Sequence, residues 1–271
     1  MKKITQIGVV IVTTAFAITG CTKEQANLPE ANESVNAANI GKKEVLMMRT
    51  TMDVSGAVVE FTDFLKQFHP EPWGPGLGFR AMVWDIAPFE QTNINNFPGD
   101  YFNDTDPAGP IGRKRGMICS TPGTGFRISD NDFSDIDPSY ADQFEAFSIR
   151  KTFSAVGSNI TDVTFKVPGT NTDAYVNGFG VVFSDVDNGA STRLEFFNGN
   201  TSLGVYMAAP CKDGQFSFLG VCFPNERVTR VRITAGKGIL GAGNRDQSDG
   251  GGVDLVVMDD FYYDEPKAIQ Q

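Results

Sequence analysis

The stretch RVTRVRIT, residues 227–234, decides the fold. At positions 230–233 two arginines alternate with a valine and an isoleucine, so charged and apolar side chains follow a period of two. Such a period places the apolar side chains on one face of a β-strand and the charged ones on the other. The pattern predicts a strand of an antiparallel sheet that has one buried and one solvated face.

The same period recurs along most of the chain after residue 79. Short runs rich in β-branched and aromatic residues are separated by clusters of Gly, Pro, Asn and Asp, which favour turns. So many short strands indicate an all-β protein, an antiparallel β-sandwich or barrel, and the 22 Phe are assigned mostly to its core. The predicted strands are 79–84, 117–119, 125–129, 144–153, 162–167, 176–183, 193–197, 203–207, 216–223, 227–234 and 253–263.

The first 21 residues, MKKITQIGVVIVTTAFAITGC, carry the features of a bacterial export signal. Two lysines precede an apolar segment, and the closing Ile18-Thr19-Gly20-Cys21 resembles the lipobox of bacterial lipoproteins. The resemblance implies cleavage after residue 20 and attachment of lipid to the Cys21 thiol. An ordinary secretory signal and an uncleaved anchor are the alternatives. We expect an exported protein that Cys21 anchors to a bacterial membrane, with the outer membrane or cell surface favoured over the inner membrane.

Composition divides the chain into five segments. The spacer, residues 21–45, is polar and lacks aromatic residues, so it cannot bury enough surface to fold. In the helical segment, apolar side chains recur at three- and four-residue steps from Val58 to Phe68, which predicts a short N-terminal helix packed on the sandwich. The segments are the signal peptide (1–20), the spacer (21–45), the helical segment (46–78), the sandwich domain (79–266) and a tail (267–271).

Charge and histidine content exclude several classes of function. The formal net charge of −10 argues against nucleic acid as a partner, because phosphate recognition needs a basic surface. The single histidine, His69, precedes the sandwich and leaves no ordinary zinc ligand set and no usual nucleophile-histidine pair. We therefore expect a monomeric binding protein rather than an enzyme. Carboxylate-based glycan hydrolysis stays open, because its paired acids have no fixed sequence spacing.

Three cysteines follow residue 21, and an exported compartment permits disulfides. Cys211 and Cys222 are the closest pair along the chain, and a bridge between them is one interpretation. A turn at Asp213-Gly214 would offset the two thiols, so a bridge from Cys119 and the absence of any bridge stay open as alternatives.

One acidic stretch has the composition of a calcium-binding loop. Residues 185–189, DVDNG, follow a predicted strand and offer two alternating carboxylates, an amide oxygen and a turn glycine. Oxygen ligands of this kind suit Ca²⁺, and we assign Asp185 and Asp187 as candidate metal ligands. A solvated acidic turn is the alternative. Residues 130–137 are a second acidic loop, for which metal binding is the alternative to a solvated loop. Residues 244–254, rich in Gly and Asp, are interpreted as a flexible surface loop, with a loop ordered by an ion as the alternative.

Aromatic residues supply the candidate ligand-binding surface. Sugar-binding β-sandwiches present exposed rings beside hydrogen-bonding side chains. Trp73 is the first candidate for such a ring, followed by Tyr101 and Tyr206. For Trp73, packing between the helix and the sandwich is the alternative, whereas Trp84, inside a predicted strand, is assigned to the core.

Several sequence blocks together resemble a widespread family of exported bacterial proteins of uncharacterised function, many with a sorting or anchoring signal. The resemblance covers residues 79–266 and carries no catalytic residues across. The blocks are PGDYFN (98–103), STPGTGFRIS (120–129), FSAVGSNITDVTFKVPGT (153–170), GFGVVFSDVD (178–187), FSFLGVCF (216–223), ERVTRVRITAG (226–236) and VVMDDFYYDEP (256–266).

The closing strand, with Asp259-Asp260, also resembles the last strand of galactose-binding-like jelly rolls. The resemblance implies a jelly-roll β-sandwich and a role for Asp259 in holding a structural calcium. Strict alternation along this strand directs one of the two acids inward, where it needs hydrogen-bond donors, a cation or a raised pKa.

These expectations combine into one functional hypothesis. The protein is a lipid-anchored binding module of the cell envelope, with carbohydrate as the leading ligand class and Ca²⁺ as a structural ion. A structural or adhesive envelope protein without a small ligand and a carboxylate-based glycan hydrolase are the alternatives.

Overall fold

A computed structural model describes residues 44–68 and 78–270. This part of the chain contains the helix α1 (Val54–Leu65) and fourteen strands. Short 3₁₀ helices lie at Lys66–Phe68, Trp84–Ile86, Phe89–Gln91, Ile111–Arg113 and Pro138–Asp142. The strands are β1 (Leu46–Thr50), β2 (Phe79–Met82), β3 (Met117–Ser120), β4 (Gly125–Ser129), β5 (Thr152–Val156), β6 (Ile160–Lys166), β7 (Asp173–Tyr175), β8 (Gly178–Ser184), β9 (Arg193–Asn198), β10 (Thr201–Met207), β11 (Phe216–Cys222), β12 (Arg230–Thr234), β13 (Val257–Asp264) and β14 (Lys267–Ala268).

The strands form two seven-stranded antiparallel sheets. The first sheet has the order β1-β11-β8-β13-β5-β4, and β2 also pairs with β13. The second has the order β10-β9-β12-β6-β7-β14, and β3 also pairs with β6. Buried side chains from both sheets form one core, so the fold is the predicted β-sandwich.

The connections are those of a jelly roll. Eight strands, β5, β6 and β8 to β13, give the spatial orders β5-β13-β8-β11 in the first sheet and β6-β12-β9-β10 in the second. The chain passes between the sheets at each step except the β9–β10 hairpin, which is the double Greek key of an eight-stranded jelly roll. That hairpin turns at Gly199, whose φ of 57° suits a tight turn at Asn198-Gly199. The jelly-roll prediction is confirmed.

The alternation in β12 has the predicted outcome. Val231 and Ile233 are fully buried between the sheets, while Arg230 and Arg232 lie on the outer face of the second sheet. Deeper in the core, Trp84 stacks on Phe153 with ring centroids 3.9 Å apart. Its indole N–H donates to the Asp259 carbonyl at 2.8 Å, so Trp84 is a core residue as predicted.

Helix α1 covers the outer face of the first sheet. Asp53 caps its N-terminus, and the Asp53 carboxylate accepts a hydrogen bond from the Gly56 N–H at 3.0 Å. Gly180 and Gly220 are directly paired between β8 and β11, and the Phe61 ring lies over both. A Cβ atom at Gly220 would come within 2.6 Å of that ring, so the helix can pack this closely on the sheet only because residue 220 is glycine.

Three predicted boundaries differ from the structure. The helix begins at Val54 rather than at 58, and the predicted helical segment 46–78 opens with β1, which pairs with β11. The predicted tail 267–271 includes β14, which pairs with β7. Both strands are short edge strands held by backbone hydrogen bonds, for which alternation of side chains is a weak signal.

The predicted strand 144–153 is mostly a loop. Only its last two residues belong to β5. Within the loop, the Phe147 N–H donates to the Asp259 carboxylate at 2.7 Å and the Arg150 N–H to the Asp85 carboxylate at 3.2 Å. Acidic side chains therefore satisfy backbone groups that a neighbouring strand would otherwise pair.

Candidate metal centre

Three loops bring acidic side chains together at one end of the first sheet. Asp185 and Asp187 follow β8, Asp213 precedes β11, and Asp246 and Asp254 precede β13. Because β8 is antiparallel to both β11 and β13, Ser184 at its end pairs with the first residues of those strands. The end of β8 and the starts of its two neighbours thus share one edge, and the five acids meet there.

The five carboxylates form two groups that share one member. Asp185, Asp187 and Asp213 make the first group, and Asp187, Asp246 and Asp254 make the second. Within each group, one oxygen from every residue lies within 4.8 Å of the others. We call this set of five residues the acidic centre.

The acidic centre is largely buried and has no cationic partner in the described ranges. Asp185, Asp246 and Asp254 are 0% exposed, Asp187 is half-buried and Asp213 is exposed. Among residues 44–68 and 78–270, none of the ion pairs joins a lysine or arginine to any of the five acids. Buried carboxylates without a counter-ion need hydrogen-bond donors, a proton or a metal ion.

Neutral hydrogen-bond donors fix the position of Asp254. Its carboxylate accepts from the Asp187 N–H at 3.3 Å, from the Asn188 N–H at 3.2 Å and from the Ser191 hydroxyl. The loop after β8 is therefore held directly against the residue that precedes β13.

Asp246 is oriented in the same way from within its own loop. It accepts from the Leu255 N–H at 2.6 Å, and from the backbone N–H and hydroxyl of Ser248 at 2.7 and 2.8 Å. These bonds preorganise the carboxylate and leave oxygen lone pairs for a further ligand.

Other buried oxygens in the acidic centre have no hydrogen-bond partner. The Gln143 side-chain N–H donates to Asp185 Oδ2 at 2.6 Å, while Asp185 Oδ1, Asp187 Oδ2 and Gln143 Oε1 are buried and unpaired. An unpaired buried acceptor is costly, and a cation bound by the first acidic group would give Asp185 and Asp187 a partner. Asp185 also has a φ of 62°, a strained conformation for a residue other than glycine.

The pKa values reflect this lack of compensation. Burial, with repulsion from Asp246, Asp187 and Asp213, raises the pKa of Asp185 to about 8. Burial also raises the pKa of Asp187, which faces Asp246 closely enough to share a proton. Burial raises the pKa of Asp254 as well, against the lowering effect of its hydrogen bonds. Without a cation, burial therefore favours the protonated forms of Asp185, Asp187 and Asp254.

The donor set suits calcium. Ca²⁺ takes six to eight oxygen ligands in flexible geometry, whereas Mg²⁺ demands a near-ideal octahedron and retains several waters. Each acidic group supplies hard oxygen donors from three carboxylates, and a carboxylate can bind calcium through one or both of its oxygens. Cysteine and histidine, which zinc prefers, are absent from both acidic groups.

The structure places the predicted metal ligands at two locations. Asp185 and Asp187 lie together, whereas Asp259 lies within β13 and belongs to neither acidic group. Asp259 accepts from the Ser148 hydroxyl at 3.1 Å as well as from the Phe147 N–H. These donors compensate the inward acid only in part, because burial and the adjacent Asp260 still raise the pKa of Asp259.

Strict alternation in the closing strand was a wrong expectation. The pairing of β13 with β8 shifts register between Met258 and Phe261, so both acids between them are buried. Asp260 lies 2.9 Å from the same Ser148 hydroxyl, whose one proton it shares with Asp259, and it accepts from the Tyr262 hydroxyl at 3.0 Å.

Sequence reasoning missed Asp213, Asp246 and Asp254. Asp213 was assigned only to a turn, and residues 244–254 were interpreted as a flexible surface loop. The signal that could have found them is position, because Asp213 and Asp254 lie directly before strands that flank β8 in a jelly roll.

The two predicted ligand-binding aromatics that the structure describes, Tyr101 and Tyr206, do not form an exposed platform. Tyr101 is only 8% exposed and packs against Phe97 and Phe102, which contradicts the expectation of an exposed ring. Tyr206 is half-buried and packs edge-on against Phe196 and Phe223 in the core. Trp73 lies outside the described residues, as does Cys21.

The predicted Cys211–Cys222 disulfide is also absent, and both are free thiols, as is Cys119. The Val186 N–H donates to the Cys211 sulfur at 3.3 Å, near the acidic end of β8. Cys222 is the last residue of β11, opposite Gly178 at the other end of β8. Seven strand residues span roughly 20 Å, whereas bridged Cα atoms lie within about 7 Å.

Comparisons of the chain with protein-family models, with curated proteins and with solved structures find no match. Within the described ranges, no helix has the length and apolar character needed to cross a bilayer. The acidic centre and the sheet surfaces therefore carry the functional argument.

Proposed function

We propose that the protein is a calcium-stabilised jelly-roll module that a lipidated Cys21 displays on the bacterial cell envelope, where it binds carbohydrate. The observation that carries the calcium assignment is the acidic centre, in which three fully buried carboxylates and two unpaired carboxylate oxygens have no cationic partner among the described residues. The lipid anchor is supported by the sequence of residues 18–21, and the carbohydrate ligand by the resemblance to galactose-binding-like jelly rolls.

A cation in either acidic group would connect two loops, and the two groups together involve three. The loops β8–β9, β10–β11 and β12–β13 each contribute at least one carboxylate. Because these loops are far apart in sequence, a shared ion would restrict them only in the folded chain. Calcium would therefore act as a structural ion that stabilises one end of the sandwich.

Calcium is expected to raise the melting temperature of protein first treated with chelator. A ligand that binds only the folded state adds about 2.7 kcal/mol at one hundred times its dissociation constant. For a domain of this size, that corresponds to a rise of roughly 5–11 °C. Differential scanning calorimetry in chelator and in excess calcium measures the shift, and Asp187→Asn, which alters both acidic groups, should abolish most of it.

Asp249→Asn is the matched control for this experiment. Asp249 is an exposed acid in the loop that carries Asp246, and its substitution removes the same charge. The control should keep the full calcium response. An unchanged melting temperature of the original protein, or an equal loss of response in both variants, would contradict a specific calcium site.

The anchor is tested separately. We expect Cys21→Ala to move the protein from the detergent phase to the aqueous phase on phase separation, because lipid can no longer be attached. Thr22→Ala should leave partition unchanged. Retention of Cys21→Ala in the detergent phase would show that another segment holds the protein at the membrane. The envelope-structural and hydrolase alternatives remain predictions.

A further inference from the structure

The outer face of the second sheet concentrates charged side chains around one aromatic ring. On β9, β12 and β6 these side chains alternate with buried residues of the core. The outer face of the second sheet is open to solvent near its centre, because the Arg232 side chain there is 41% exposed. Helix α1, in contrast, packs against strands of the first sheet. We call the following set the arginine face: Asp162, Thr164, Lys166, Arg193, Glu195, Phe197, Arg230 and Arg232.

A single carboxylate holds two guanidinium groups side by side at the centre of the arginine face. Arg232 binds Asp162 through two bonds, Nε to Oδ1 at 2.9 Å and Nη2 to Oδ2 at 2.8 Å. Arg230 Nη1 donates to the same Oδ1 at 3.1 Å. Bidentate pairing fixes the plane of a guanidinium as well as its position.

Phe197 fixes the second guanidinium from below. It lies directly opposite Arg230 in the β12–β9 pairing, and the Arg230 Cζ atom is 3.7 Å from its ring centroid. Stacking on an aromatic face orients the cation and reduces the entropy that it loses on binding. Both arginines are therefore preorganised before any ligand arrives.

The arginine face has donors and positive charge to spare. In the described ranges, Arg230 uses one N–H group and Arg232 two groups in hydrogen bonds to Asp162, although each guanidinium carries five N–H donors. Glu195 lies opposite Arg232 in the β12–β9 pairing, so the two central arginines face two carboxylates. The arginine face as a whole holds four cations against two carboxylates, and with Asp173, which pairs with Lys166, its net charge is about +1 in a chain whose net charge is −10. An anionic ligand complements this face.

We propose that the arginine face binds an acidic polysaccharide, whose carboxylate or sulfate groups pair with Arg230 and Arg232. This inference rests on the proposed carbohydrate function and names its ligand class. The residues lie on three adjacent strands about 4.8 Å apart, an extended surface rather than a pocket, which fits a chain of sugars. Val205, 50% exposed and opposite Glu195, adds an apolar contact for the C–H face of a sugar ring.

Affinity electrophoresis of the full-length protein in non-ionic detergent tests the proposal. Gels contain polygalacturonate, neutral dextran or no polysaccharide. The variant is Asp162→Asn/Arg230→Gln/Arg232→Gln, which removes the whole central group and leaves no buried carboxylate unpaired. We expect polygalacturonate to retard the original protein and the triple variant to bind it at least about tenfold more weakly, because charge-assisted hydrogen bonds are lost.

Arg49→Gln is the matched control. Arg49 is exposed on β1 of the first sheet, and its substitution changes the net charge by the same amount as the triple variant. The control should bind polygalacturonate like the original protein. The circular dichroism spectrum of the triple variant should match that of the original protein, which shows that the variant is folded. If the triple variant does not fold, Arg230→Lys/Arg232→Lys replaces it. This double variant keeps the charge but loses bidentate pairing, and it should also bind polygalacturonate more weakly.

Each other outcome overturns a defined statement. Equal retardation by dextran and polygalacturonate would overturn the acidic class and leave the carbohydrate function standing. Retardation that Arg49→Gln weakens as much as the triple variant would overturn the location. The absence of retardation by any glycan, including those on a broad glycan array, would overturn the proposed carbohydrate function itself. Sedimentation of Cys21→Ala with phosphatidylglycerol vesicles, lost in the triple variant, would assign the face to lipid instead.

Discussion

In the absence of divalent cations, the free energy of unfolding is expected to fall as the pH rises from about 5 to about 8. Burial raises the pKa of Asp185 to about 8, whereas an aspartate in an unfolded chain titrates near 3.9. Between these values the folded protein holds a proton that the unfolded chain has released, so rising pH favours unfolding. Each such proton contributes a slope of up to about 1.4 kcal/mol per pH unit.

Other carboxyl groups add to this slope in the same direction. Burial raises the pKa values of Asp187 and Asp254 in the acidic centre, and those of Asp259 and Asp264 outside it. Hydrogen bonds with Arg232 and Arg230 instead help to lower the pKa of Asp162, although its burial opposes them. The Asp162 carboxylate therefore stabilises the fold at pH values above the pKa of an aspartate in the unfolded chain. This contribution is lost only in acid, below the range of pH 5 to 8.

Urea unfolding in chelator at several pH values measures the slope. Asp185→Asn should flatten it, because the variant has no proton to release at that position. Excess calcium should also flatten the part due to the acidic centre and leave the part due to Asp259 and Asp264. A stability that is constant or rises between pH 5 and 8 in chelator would contradict the arrangement of uncompensated acids.

Trp84→Ala is expected to lower the free energy of unfolding by about 3–5 kcal/mol, the range for removal of a large buried aromatic side chain. Trp84 is 1% exposed and stacks on Phe153, with edge contacts to Phe102 and Phe261. Loss of the indole leaves a cavity between the two sheets and removes the donor to the Asp259 carbonyl. Equilibrium denaturation by urea measures the change.

Phe89→Ala is the control for this substitution. Phe89 is another aromatic residue close to Trp84 in sequence but is 67% exposed, so its loss should change stability by less than about 0.5 kcal/mol. Trp84→Phe should fall between the two, because it keeps an aromatic ring but loses the hydrogen bond. Equal stabilities of Trp84→Ala and Phe89→Ala would show that the indole does not support the core.

Periodic segments of the fold could be predicted from the sequence, while edge strands and irregular segments could not. Burial alternates strictly along β6, and along β12 from Arg230 to Ile233, and the predicted strands overlap the observed ones. Edge strands such as β1 and β14 are stabilised by backbone pairing that depends on the rest of the sheet. In the closing strand, a bulge interrupts the period at Asp259, a feature that local alternation does not contain.

The candidate site was predictable only where its ligands are neighbours in the sequence. Asp185 and Asp187 are two residues apart and stand after a strand, which is a local signal. Asp213, Asp246 and Asp254 join them only because β8 lies between β11 and β13 in the first sheet. Exposure of Tyr101 and Tyr206 could not be inferred either, because it depends on packing across the two sheets.

Gly180 and Gly220 determine the position of α1 along β8 and β11, a separate matter from how much the helix stabilises the fold. The Phe61 ring lies over Gly180 and Gly220, which have no side chains. The next pair on the same face of β8 and β11, toward the acidic end, is Val182 with Phe218, and their side chains fill the corresponding space at that level. A shift of the helix by one turn, about 5.4 Å, would drive the ring into them. The two glycines therefore select one docking position for the helix from several that hydrophobic burial alone would allow.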